Sequence, residues 1–65
     1  MTEKLLTPRE LADYLSVTVD GLAQMRYRGT GPAFIKAGAR RVLYRESDVQ
    51  AWLDANVHTQ TGAPA

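Results

Sequence analysis

Leu11 and Leu15 stand four residues apart, and Leu6 precedes them across a Thr-Pro-Arg-Glu step. Side chains four apart share one face of a helix, so this spacing predicts a short helix over residues 8–15. Its start is well marked. Thr7 offers a capping hydroxyl, Pro8 suits the first helical position, and Glu10 completes a capping box. Leu6 and Leu11 fit a hydrophobic staple across that cap. Ser16-Val17 then reads as a turn. Leu22 and Met25 give the inward stripe of a second helix from Val19 to about Arg28, with Thr18 as its N-cap. Asp20 lies in its first turn, where the helix dipole favours an acid, and Gly29 ends it in the left-handed region.

Thr30-Gly31-Pro32 breaks any continuation. Ala33 to Ala37 and Arg41 to Tyr44 read as two short strands around Gly38-Ala39-Arg40, with strong strand formers in Phe34, Val42 and Tyr44. Val49, Trp52 and Leu53 fall at i, i+3 and i+4 and predict a third helix that starts between Arg45 and Ser47. Ser47 to Gln50 offers it a second capping box. Trp52 and Met25 are expected in the core, and Phe34 and Tyr44 are expected to brace the hairpin against the third helix. The fold class that follows is mostly α with a small β-hairpin, in the order α-α-β-β-α. Residues 1–56 make one domain, and residues 57–65 form a tail with little to bury, expected to be disordered. His58, the sole histidine, falls in that tail.

Length and composition narrow the chemistry. A chain of 65 residues has room for one small core. It has no cysteine, so neither a disulfide nor a thiolate metal site can hold it together. The N-terminus lacks the long apolar region of a secretory signal, and no apolar run approaches the length of a membrane span. A cytoplasmic location is expected.

The net charge of +1 hides a sharp segregation. Residues 1–20 hold Lys4 and Arg9 against Glu3, Glu10, Asp13 and Asp20, a sum of −2. Residues 46–65 hold Glu46, Asp48 and Asp54, a sum of −3. Between them lie Arg26, Arg28, Lys36, Arg40, Arg41 and Arg45, a sum of +6 with no acid from Gly21 to Arg45. Such segregation costs self-repulsion, which points either to a polyanionic partner or to neutralisation by the flanking acids in three dimensions.

The element order is that of a small winged helix-turn-helix, and the motifs go further. LLTPRELADYLSVTVDGL, YRGTGPAFIKAG and RRVLYRESDVQAWL resemble the MerR-type winged-helix modules of phage and plasmid excisionases, also called recombination directionality factors. Close relatives of these act as small transcriptional regulators. The resemblance covers about Leu5 to Leu53. It implies that the second helix enters the major groove of double-stranded DNA with Thr18, Asp20, Gln24, Tyr27 and Arg28 on the reading side. Gln24 suits adenine, and Arg28 suits guanine or a phosphate. The hairpin becomes the wing, with Arg40 aimed at an A·T-rich minor groove and Arg26, Lys36, Arg41 and Arg45 on the phosphate backbone. A phage integrase is the implied protein partner, with cooperative self-association on bent DNA. No cofactor or metal is implied.

This chain departs from the family pattern at two places. Ser16 stands where the family often has glycine. Asp20, Gly21 and Ala23 stand where a basic residue, a hydroxyl and an aromatic are common, which leaves fewer direct contacts and makes cooperative binding more important.

Two other function classes remain to be weighed. An enzyme finds little support: nucleophilic catalysis needs a base beside the nucleophile, and the chain offers no cysteine and no histidine outside the tail. A protein-interaction module, such as an anti-repressor or an integrase adaptor, predicts that the basic segment meets an acidic protein surface. A ligand-responsive regulator fits less well than an architectural factor, since no sensor domain accompanies the motif.

Overall fold

The computed structural model describes residues 3–58. Its elements are β1 (Leu5–Leu6), α1 (Pro8–Leu15), α2 (Val19–Arg28), β2 (Ile35–Lys36), β3 (Val42–Arg45) and α3 (Glu46–Ala55). Three helices and a small antiparallel sheet make a winged helix-turn-helix, as the sequence pattern predicts. The expected disordered tail, from residue 59 on, lies outside the described residues, while Val57 and His58 are exposed.

α1 begins as its sequence dictates. The Thr7 hydroxyl accepts from the Glu10 amide at 3.1 Å, and the Glu10 carboxylate accepts from the Thr7 amide at 2.9 Å. The helix stops at Ser16, whose backbone is left-handed at φ 59° and ψ 40° and whose amide turns back to the carbonyls of Ala12 and Asp13. That conformation crowds the Cβ of any residue other than glycine. Ser16→Gly is therefore expected to stabilise the protein by about 1 kcal/mol, read as a higher urea midpoint at unchanged slope.

After the short turn, the Thr18 hydroxyl accepts from the Gly21 amide at 2.9 Å and caps α2. Gly29 closes α2 at φ 71°, and Thr30 donates its amide to the Met25 carbonyl at 3.0 Å. Gly31 has a different reason to lack a side chain, since a Cβ there would come within 2.9 Å of the Met25 Cβ. The loop can therefore lie flat against the end of α2.

The sheet is wider than the expected hairpin. β3 is its central strand and β2 its wing partner, with Ile35 opposite Leu43 and Lys36 opposite Val42. β1 pairs on the other edge, Leu5 opposite Arg45 and Leu6 opposite Tyr44. β2 is shorter than predicted, covering Ile35–Lys36 alone, and β3 keeps the predicted length but is shifted by one residue, to Val42–Arg45.

The N-terminal segment also starts α3. Its N-cap is Arg45, with no side-chain capping bond, so the expected Ser47 capping box does not form. Instead the Glu3 carboxylate accepts from the Ser47 amide at 2.7 Å, and the Lys4 carbonyl accepts from Glu46 at 3.1 Å. A tertiary contact thus satisfies first-turn amides that a local side chain usually serves. Hydrogen bonding from Ser47 holds the Glu3 carboxyl below its ordinary value.

Leu11, Ala12, Leu22, Tyr44 and Val49 form the buried core, and Leu6, Leu15, Met25, Val42 and Leu53 pack around it. Trp52 is not among them. It is half-buried, and its indole N–H donates to the Thr30 carbonyl at 3.0 Å, tying α3 to the loop that follows α2.

Candidate nucleic-acid interface

α1 and α2 pack as the two helices of the motif, and that packing decides which side of α2 is free. Leu22 is fully buried and Met25 half-buried, which turns Asp20, Ala23, Gln24 and Tyr27 outward. These last four line one shallow cleft. Tyr27 is 90 % exposed, too open to contribute to the core and well placed to meet a ligand. Arg28 lies exposed at the C-terminal end of α2. Thr18 is exposed as well, but its oxygen is engaged by the Gly21 amide, which makes it a capping residue in the first instance.

The wing joins this face. A second open cleft between α2 and the hairpin is lined by Arg26, Tyr27, Phe34, Lys36, Arg40 and Val42. Tyr27 belongs to both clefts, so the exposed side of α2 and the wing form one surface. Arg40 also lines a third cleft, together with Arg41 and with Val19 at the start of α2. The wing is closed by a 2.8 Å hydrogen bond from the Ala37 amide to the Arg41 carbonyl, which holds both arginines near its tip. Lys36, Arg40 and Arg41 are exposed. Among the described residues, neither they nor Arg28 form an ion pair with a carboxylate.

Two of the six expected cations are placed differently. Arg45 is held by Asp48, Nε to carboxylate at 2.8 Å, and the hydrogen bond and charge of Asp48 raise its pKa above the ordinary value. It sits on the strand edge that pairs with β1, beside Glu3, on the acidic side of the molecule. Arg26 points into the structure. Its guanidinium donates to the Tyr44 hydroxyl at 2.7 Å and lies 5.8 Å from the centre of the Phe34 ring. Phe34 and Tyr44 are themselves in tilted contact, 6.5 Å between centroids. The expected brace of the wing therefore runs to α2 through Arg26, while Tyr44 also shares the core with Val49 of α3.

This Arg26–Tyr44–Phe34 cluster is the feature that sequence reasoning missed. A signal for it was present: Arg26 follows Leu22 by four and so falls on the inward stripe of α2. A guanidinium lying over one ring and bonded to the hydroxyl of another ties the angle of the wing to α2.

Among the described residues, no helix is long and apolar enough to cross a membrane, and no cluster of side chains is suited to hold a metal ion. No curated protein and no solved structure matches the chain. The helix-turn-helix domain family matches residues 5–57, a span that takes in every helix and strand described above. An exposed second helix, a cationic wing beside it and this match agree: the chain belongs to the helix-turn-helix domain family, a DNA-binding fold.

Proposed function

We propose that this protein is a sequence-reading, architectural DNA-binding protein that acts as an excisionase in the cytoplasm of a bacterial host. α2 lies in the major groove, where Gln24 reads adenine and Asp20 accepts from cytosine N4. Arg40 enters the adjacent minor groove, and Arg28, Lys36 and Arg41 bind phosphates. Copies bind side by side, bend the DNA and steer an integrase toward excision. The protein itself carries out no chemistry. The observation that carries the DNA reading is the continuity of the exposed face of α2 with the unpaired cations of the wing. The excisionase reading draws its support from the family resemblance of the three motifs between Leu5 and Leu53.

The salt dependence of binding tests the first part. With Arg26 and Arg45 engaged internally, four cations remain to displace counterions from the DNA, Arg28, Lys36 and Arg41 at phosphates and Arg40 in the minor groove. Log K is expected to fall with log salt at a slope of about −3.6 per monomer, read by fluorescence anisotropy on a short duplex. A flat response would support a protein adaptor instead. Footprinting of the DNA flanking the gene, with and without the neighbouring integrase, tests the second part. Protected direct repeats in an attachment site are the expected result, while protection of a promoter alone would make the protein a transcriptional regulator.

A further inference from the structure

The side of the molecule away from α2 and the wing carries a second surface, of opposite charge. Glu10, Asp13 and Tyr14 fall at i, i+3 and i+4 on α1, and Glu46, Val49 and Gln50 repeat that spacing on α3. The two stripes face a common cleft of about 690 Å³, closed at one end by the chain around Glu3 to Leu6. Its floor is apolar: Val49 is buried and Leu6 half-buried. Tyr14 stands over it 65 % exposed, a large ring with little packing of its own. The rim carries Glu3, Glu10, Asp13 and Glu46 against Lys4 alone, a formal charge of −4 + 1 = −3. The carboxylates of Glu3 and Glu10 are occupied in holding backbone amides, but those of Asp13 and Glu46 have no hydrogen-bond or ion-pair partner among the described residues.

We propose that this cleft docks a basic amphipathic segment of another protein. Apolar side chains of the segment would rest on Leu6, Tyr14 and Val49, and its cations would meet Asp13, Glu46 and Glu10. Such a segment presents anchors at the same i, i+3, i+4 spacing as the stripes that receive it. Apolar contact supplies the affinity, while the acidic rim selects the partner and speeds the encounter.

The chain itself does not supply the occupant. Beyond Arg45 it has no lysine or arginine, so its own C-terminal segment lacks the complementary charge. The cations of a second copy lie mainly on α2 and the wing, the surface assigned to DNA, and this one step rests on the DNA reading. No residue of α2, β2 or the wing tip lines the cleft, so DNA and the docked segment can be held together. A protein built this way recruits a basic partner to the site it occupies.

The test uses the full chain and a helix-forming leucine–lysine peptide of about 14 residues, followed by heteronuclear NMR with and without saturating duplex DNA. Shifts are expected at Leu6, Asp13, Tyr14 and Gln50 in both conditions, and a leucine–glutamate peptide of equal length should cause none. Asp13→Lys and Tyr14→Ser should each weaken peptide binding about tenfold or more, with circular dichroism and DNA affinity unchanged. Unchanged peptide affinity in both variants would overturn the proposal. So would shifts confined to α2 and the wing, or no binding at millimolar peptide. Self-association of the free chain that Asp13→Lys abolishes would also overturn it, since the occupant would then be a second copy. Loss of DNA binding alone, with the peptide still in the cleft, would count against the DNA reading and leave the docking site standing.

Discussion

Tyr44→Ala is expected to leave the protein largely unfolded at room temperature. Tyr44 is fully buried, the largest such side chain, and it sits where β3, α2 and α3 meet. Truncating a buried aromatic costs about 3–5 kcal/mol. A domain of 65 residues has about 3–10 kcal/mol in all, so most of the margin goes. Tyr44→Phe separates the two contributions of this residue. It keeps the ring and removes the acceptor of the Arg26 hydrogen bond. The expected cost is about 1.5 kcal/mol, near the lower end for a charged donor, because the half-buried Arg26 regains some water. Urea titration of both variants measures the difference. Equal midpoints would mean that the hydrogen bond, and not ring packing, makes Tyr44 indispensable.

The largest effect on DNA binding is expected from Arg40→Ala combined with Arg41→Ala. Both side chains are exposed and take part in no internal ion pair, so the fold has no reason to notice their loss. Each cation that displaces counterions, at a phosphate or in the minor groove, contributes about 0.9 to the salt slope, which is about eightfold in affinity at ~0.1 M salt. The double variant should therefore bind about 60-fold more weakly at ~0.1 M salt, with a slope shallower by about 1.8. Anisotropy titrations at several salt concentrations measure both quantities. An unchanged Kd with an unchanged circular dichroism spectrum would take the wing off the DNA.

The helices were readable because their signals are local. The Thr7 to Glu10 box, the Leu11–Leu15 step and Gly29 each act within a turn or two, and α1 and α2 have the predicted bounds. Ser16 adopts the left-handed backbone that makes serine an awkward choice there. What escaped was carried by distant pairings. Two residues, Leu5 and Leu6, are too few to show a period of two, so β1 is set by the edge of β3 rather than by its own pattern. The start of α3 looked like a Ser47 cap, yet Glu3, 44 positions earlier, takes that amide.

The site divides along the same line. Which residues of α2 face outward follows from the position of Leu22, and Asp20, Gln24 and Tyr27 do so. Which cations are free does not follow from counting them. Asp48 captures Arg45 from the next turn of chain, and Tyr44 captures Arg26 from across the fold.

The inward arginine has a bearing on genetics. A screen for alleles that no longer occupy DNA is expected to return position 26 together with positions 40 and 41, and a tally of phenotypes will score all three as DNA contacts. Their dependence on ionic conditions sorts them, since a displaced wing loses affinity by misalignment and the number of counterions released by the remaining contacts is a separate quantity. Second-site revertants of an Arg26 allele should arise at Phe34 or Tyr44, where a new pairing can reset the tilt of the hairpin, and not among the residues proposed to read bases.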